Sequence, residues 1–115
     1  MAALQLLGRR KDRETQRAER WLKERRIEFH FVEVSQKPLS PGELDGIARA
    51  AGGYQALIDN DSPEYRNGGW AHRNFDVREE LLEHPGLVKV PILRQAPKAV
   101  VGYDEAAWKS LLGLK

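Results

Sequence analysis

Hydrophobic and polar positions along this chain fall into short runs whose period changes from one to the next. Leu4-Gln5-Leu6-Leu7 is an apolar run closed by Gly8, long enough for a buried strand. From Lys11 to Arg26 the spacing becomes helical. Thr15, Ala18, Trp21 and Leu22 lie three and four apart on one face, and the other faces are almost wholly charged. Ile27 to Val34 then alternates as a strand does, with Phe29 and Phe31 on one side and His30, Val32 and Val34 on the other. Strand, helix, strand within about 30 residues is a βαβ unit, for which a right-handed crossover is expected.

Ser40-Pro41-Gly42-Glu43 is a helix start, with serine as N-cap, proline at the first helical position and glutamate three residues after the cap. That helix carries Leu44, Ile47, Ala48 and Ala51 and ends at Gly52-Gly53. Residues 54–74 are less regular. Asn60-Asp61-Ser62-Pro63 begins another helix, and Asn67-Gly68-Gly69 breaks it. Phe75 to His84 forms a further helix with Val77, Leu81 and Leu82 inward, stopped by Pro85-Gly86. Strands at Pro91–Leu93 and Ala99–Val101 follow, joined by a turn around Pro97, and Asp104 caps a last helix holding Ala107, Trp108, Leu111 and Leu112. The order βα β ααα ββα predicts an α/β fold with a mixed sheet.

The 115 residues suit one domain over positions 1–115. No apolar run approaches the ~20 residues that span a bilayer, so no membrane role is expected. The N-terminus lacks a signal-peptide pattern, which makes a cytoplasmic location the expectation. The chain has no cysteine, and that excludes disulfides, thiolate catalysis and cysteine-based zinc sites. His30, His72 and His84 are scattered over three elements, so no metal site is expected. Ser35, Ser40, Ser62 and Ser110 occupy turn, cap or helix positions without a nucleophile elbow.

The net charge of +2 hides an asymmetry: residues 1–26 carry nine Lys/Arg against four Asp/Glu. This block either faces an acidic partner or is a solvated helix face. No aromatic stripe accompanies it as single-strand binding would need, so nucleic acid is not expected. Trp70, between Gly69 and Ala71, is either an exposed partner contact or packed beneath its loop.

Several segments, in order, resemble the arsenate reductase/Spx family. Arg20-Trp21-Leu22-Lys23-Glu24-Arg25 with Ile27-Glu28-Phe29 is similar to its first helix and the exit into strand two. Pro38-Leu39-Ser40 with Glu43-Leu44 is similar to the entry to its second helix, and His84-Pro85-Gly86-Leu87 with Pro91-Ile92 to the approach to its cis-proline. Val101-Gly102-Tyr103-Asp104-Glu105 matches the turn into its last helix. The resemblance implies a thioredoxin-like (glutaredoxin-like) four-stranded mixed sheet with a helical insertion, and a cis Val90–Pro91 bond.

The departures bear on function. The family's reactive cysteine would fall near Asp12, and the arginines that hold its oxyanion near Asp59, Val90 and Gly102. With Pro91 these form a degenerate family site. Aspartate at a helix start gains the same dipole stabilisation as a thiolate but cannot form a reducible adduct or a mixed disulfide. If Asp12 and Asp59 met, they could act as paired carboxylates; otherwise each caps a helix or meets an arginine. The resulting expectation is a cysteine-less, redox-inactive module without a cofactor, monomeric, and engaging a protein partner. For Spx-type members the resemblance names that partner as the RNA polymerase alpha subunit. Arg9, Arg10, Arg13, Arg17 and Arg20 are the candidate contacts. The alternative is a family protein that binds a small oxyanion or glutathione through the Arg9–Arg13 loop without the usual cysteine.

Overall fold

In a computed structural model, residues 3–70 and 73–114 are described; His72 lies outside them. Four strands form one sheet in the order β2-β1-β3-β4. They are β1 (Gln5–Gly8), β2 (His30–Glu33), β3 (Ile92–Gln95) and β4 (Lys98–Val101). β1 pairs parallel with β2 in the register Leu6 to Phe31, and antiparallel with β3 in the register Leu6 to Leu93. β3 and β4 form a hairpin. Five helices accompany the sheet: α1 (Arg13–Glu24), α2 (Pro41–Ala51), α3 (Pro63–Asn67), α4 (Val77–Glu83) and α5 (Glu105–Leu112). The mixed-sheet expectation is met.

Because successive strand residues point to opposite faces, β1 and β3 divide the core in two. Leu6 and Leu93 join Ala18, Trp21 and Leu22 of α1 and Trp108 of α5 on one face. Leu7 and Ile92 join Val32, Leu44, Ile47, Leu57 and Leu81 on the other. Leu6, Leu44, Ile47, Leu57 and Ile92 are all fully buried, and each such side chain is worth roughly 1.5–3 kcal/mol. Trp108 takes Tyr103 edge-on at 4.6 Å between ring centroids and Trp21 at 5.3 Å. The indole N–H groups of Trp21 and Trp108 are buried and have no hydrogen-bond acceptor among the described residues, so ring packing carries this side of the core.

The caps read from sequence are present. Ser40 and Glu43 form the reciprocal capping box, and Gly52 ends α2 in the left-handed region at φ 92°. Ser62 caps α3 and Asp104 caps α5, and Asp76, which the sequence pattern had not marked, caps α4. The second strand is shorter than its alternation predicts. After α1, Arg26 takes a left-handed φ of 56° and the Ile27 N–H returns to the Leu22 carbonyl at 3.0 Å. That closing turn, usually built on glycine, keeps Ile27 out of the sheet. Val90–Pro91 is cis as the resemblance implies, and Ala96–Pro97 in the β3–β4 turn is cis as well.

One long-range ion pair ties α2 to α4. Arg78 donates to Asp45 through Nε at 2.8 Å and Nη2 at 3.2 Å, and the Tyr54 hydroxyl donates to the same carboxylate at 2.6 Å. The Arg78 hydrogen bonds, followed by that of Tyr54, hold the Asp45 carboxyl down to about 2. A carboxyl depressed in the folded state stabilises above its unfolded pKa of about 3.9, and that stability is lost as the pH falls through the folded value. The unfolding midpoint in urea should therefore decline between pH 4 and pH 2, and the decline should be shallower in Asp45→Asn. Parallel pH profiles for the two proteins would show that this pair contributes nothing.

Candidate functional site

The loop between β1 and α1 is built around a close approach. Gly8 leaves no room for a Cβ, which would sit 2.5 Å from the Thr15 methyl. Thr15 is fully buried, and both its N–H (2.8 Å) and its hydroxyl (2.9 Å) donate to Asp12 Oδ2. Asp12 is thus the N-cap of α1, its carboxylate engaged twice by one residue. The Asp12 N–H in turn donates to the Arg9 carbonyl at 2.9 Å.

This loop faces three other segments across a cleft of about 980 Å³. Asp59 sits where residues 57–59 run antiparallel to 87–89: Ile58 bridges Val88, the Asp59 N–H donates to Leu87 O at 2.8 Å, and the Lys89 N–H donates to Leu57 O at 2.7 Å. Asp59 Oδ1 accepts from the Asp61 N–H at 3.0 Å, as a turn former does. Val90 lines the cleft directly before the cis Pro91. Gly102 lines the opposite side with φ 90°, its N–H donating to Pro91 O at 2.8 Å. Asp12, Asp59, Val90 and Gly102 therefore line one cleft.

Four basic residues line the cleft, Arg9, Lys11, Arg13 and Lys89, against six acidic ones, Asp12, Glu14, Asp59, Asp61, Glu64 and Asp104. Arg9 is largely structural: its Nη2 donates to the carbonyls of Pro85 (2.6 Å) and Val88 (3.1 Å), pinning the first loop to the segment before Pro91. Asp12 and Asp59 each accept from their own turn, the capping and turn roles that were the alternative to a carboxylate pair.

The remaining arginines separate. Arg10 leaves the cleft, its guanidinium 4.1 Å from the Phe31 ring centre and 3.8 Å from Glu19, while its N–H donates to Glu33 at 2.8 Å. Burial pushes the Glu33 carboxyl up, but that bond and two from Ser35 outweigh it, and the net shift is downward. Arg17 lies 4.3 Å over Tyr103. Burial, then a hydrogen bond to Glu105, raises the Tyr103 hydroxyl above its ordinary value. Arg13 and Arg20 are exposed and form no ion pair among the described residues. Trp70 is not an exposed contact. It is 4% exposed, packed edge-on against Phe75 and His84, with the Arg73 guanidinium over its outer face.

Sequence reasoning missed one gathering of side chains. Glu64 and Glu80 lie 3.3 and 3.4 Å from the two ring nitrogens of His84, with Glu83 close by. The four-residue spacing of Glu80 and His84 was the available signal.

No family model and no curated protein matches the sequence. Solved structures do, along nearly its whole length. An ArsC family related protein from Bacteroides fragilis is 19% identical, with a TM-score of 0.84 over 95% of this chain and 97% of that one. An arsenate reductase from Vibrio cholerae is 14% identical, with a TM-score of 0.76 over 99% and 98%. The chain has the arsenate reductase-related fold. A glutaredoxin from Archaeoglobus fulgidus follows at 16% identity and a TM-score of 0.50 over 97% of this chain and 87% of that one, as a thioredoxin-like sheet requires. On this arsenate reductase-related scaffold, the start of α1 carries an aspartate occupied by its own helix.

Asp12→Ala should lower stability by about 1–3 kcal/mol, through loss of the cap and of the acceptor for the buried Thr15 hydroxyl. Asp12→Asn keeps an acceptor oxygen and should stay within about 0.5 kcal/mol of the parent. Urea unfolding measures both. An Asp12→Ala protein as stable as the parent would mean the carboxylate is not held for capping.

Proposed function

We propose that this chain is a redox-inactive, protein-binding representative of the arsenate reductase-related fold, Spx-like in having recognition rather than turnover as its task. The observation that carries this reading is the state of the cleft: no thiol anywhere in the chain, an N-cap aspartate at the expected nucleophile position, and carboxylates outnumbering bases around it. Stabilising an oxyanion needs converging donors and positive charge, so the oxyanion or glutathione reading is the weaker one. Lys11, Arg13 and Lys89 are its only support.

The contact surface we assign is the outer side of α1. Thr15, Ala18, Trp21 and Leu22 are buried, which leaves Arg13, Arg17 and Arg20 exposed in a row. Glu19 is taken up by Lys23 at 3.5 Å and by Arg10 at 3.8 Å, so the row keeps its positive surplus. Like-signed exposed charge raises encounter rates with an acidic partner and makes them salt-dependent. The family analogy makes the RNA polymerase alpha subunit the first partner to try.

Arsenate, disulfides and glutathione mixed disulfides should not be reduced, with glutathione and glutaredoxin supplied. Asp12→Cys should give only poor arsenate turnover, since Asp59, Val90 and Gly102 leave the oxyanion without arginines. Efficient rescue by that one change would sink the reading of the cleft.

In binding measurements with purified alpha subunit, Arg17→Glu with Arg20→Glu should slow association and flatten its dependence on salt. Binding by a normally folded double variant with unchanged rate and salt response would show α1 to be only a solvated face.

A further inference from the structure

Next to the cleft, where α4 ends, α3 and α4 bring three carboxylates around one imidazole. Glu80, Glu83 and His84 offer ligand atoms that all lie within 4.8 Å of one another. His84 Nε2 is 3.4 Å from Glu80 Oε2, and Nδ1 is 3.3 Å from Glu64 Oε1. Among the described residues no lysine or arginine pairs with Glu64, Glu80 or Glu83. Even a protonated His84 leaves negative charge in excess there. The end of a helix adds to it, since unpaired carbonyls make that end favourable to cations.

The imidazole is also held from behind. Trp70, itself buried, packs edge-on against it at 5.2 Å between centroids, so its plane is set by the core. Glu64 stands where a carboxylate stands behind a metal-bound histidine. There it can accept the Nδ1 proton and leave the Nε2 lone pair free towards Glu80.

We propose that Glu80, Glu83 and His84 Nε2 bind a first-row divalent cation of the zinc type, with Glu64 as the orienting carboxylate. An imidazole nitrogen beside carboxylate oxygens suits zinc, cobalt or manganese, whereas magnesium and calcium favour oxygen ligands alone. His84 is the C-cap of α4, four residues after Glu80, and its Nε2 already stands 3.4 Å from Glu80 Oε2. Three protein ligands leave the remaining positions to water.

The test is calorimetric titration of the full chain with zinc chloride near neutral pH, with cobalt(II) as a paramagnetic probe of the histidine ring protons in NMR spectra. One saturable zinc site is expected, with no saturation by magnesium over the same range, and cobalt should broaden the His84 ring signals first. His84→Gln should abolish the site. Glu64→Gln should weaken it about tenfold, as loss of an orienting carboxylate does elsewhere. Glu83→Gln is the deciding variant, because Glu83 is exposed and joins none of the ion pairs at His84. It should weaken zinc binding at least as much while circular dichroism stays unchanged. Zinc affinity unaltered by Glu83→Gln, broadening centred on His30 or His72, or no saturable binding would each overturn the proposal, leaving the cluster an ion-pair link between α3 and α4.

Discussion

β1 and β3 run through the middle of the sheet and are covered on both faces, so two adjacent residues in each strand must serve two separate cores. Leu6 and Leu93 face the tryptophan side, and Leu7 and Ile92 face α2 and α4. A register slip of one residue would exchange these faces, and with both cores apolar it would also misplace every loop at the ends of the strands. All the segments lining the cleft attach to these two strands or to elements packed on them. The position of the cleft is therefore a consequence of strand pairing.

Polar contacts then fix its shape. Arg9 reaches across the fold to Pro85 and Val88, the Ile58–Val88 bridge aligns Asp59 with Lys89, and Gly102 is hydrogen-bonded to Pro91. A thioredoxin-like framework commonly organises this region around a reactive sulfur. Here hydrogen bonds internal to the protein hold the walls of the same region in place. On the proposed reading, recognition falls to the exposed arginines of α1.

Features set by neighbouring residues were legible in the sequence. Ser40 with Glu43, Ser62 with Pro63, and Asp104 announce helix starts because capping is decided within one turn. The buried face of α1 followed from spacing alone, and the meeting of Asp12, Asp59, Val90 and Gly102 followed from the family resemblance. What stayed hidden depends on distant contacts. Nothing near Arg9 says that its guanidinium will serve carbonyls far along the chain. Trp70 looked like a loop residue until Phe75 and His84 were seen against it. The shortened second strand came from the left-handed turn at Arg26, a conformation that an arginine does not advertise. The cluster at His84 was half legible, since Glu80 and Glu83 lie on the helix that His84 ends while Glu64 arrives by tertiary packing.

Gly102 has an implication for redesign of the cleft. Its backbone lies at φ 90°, and a Cβ there would meet the Lys89 side chain at 3.4 Å. An arginine at this position would need a remade turn as well as a new side chain, because left-handed backbone strains residues that carry a Cβ. Installing an oxyanion-holding arginine here would thus require coordinated changes in the main chain, and a substitution of the side chain alone would carry the strain.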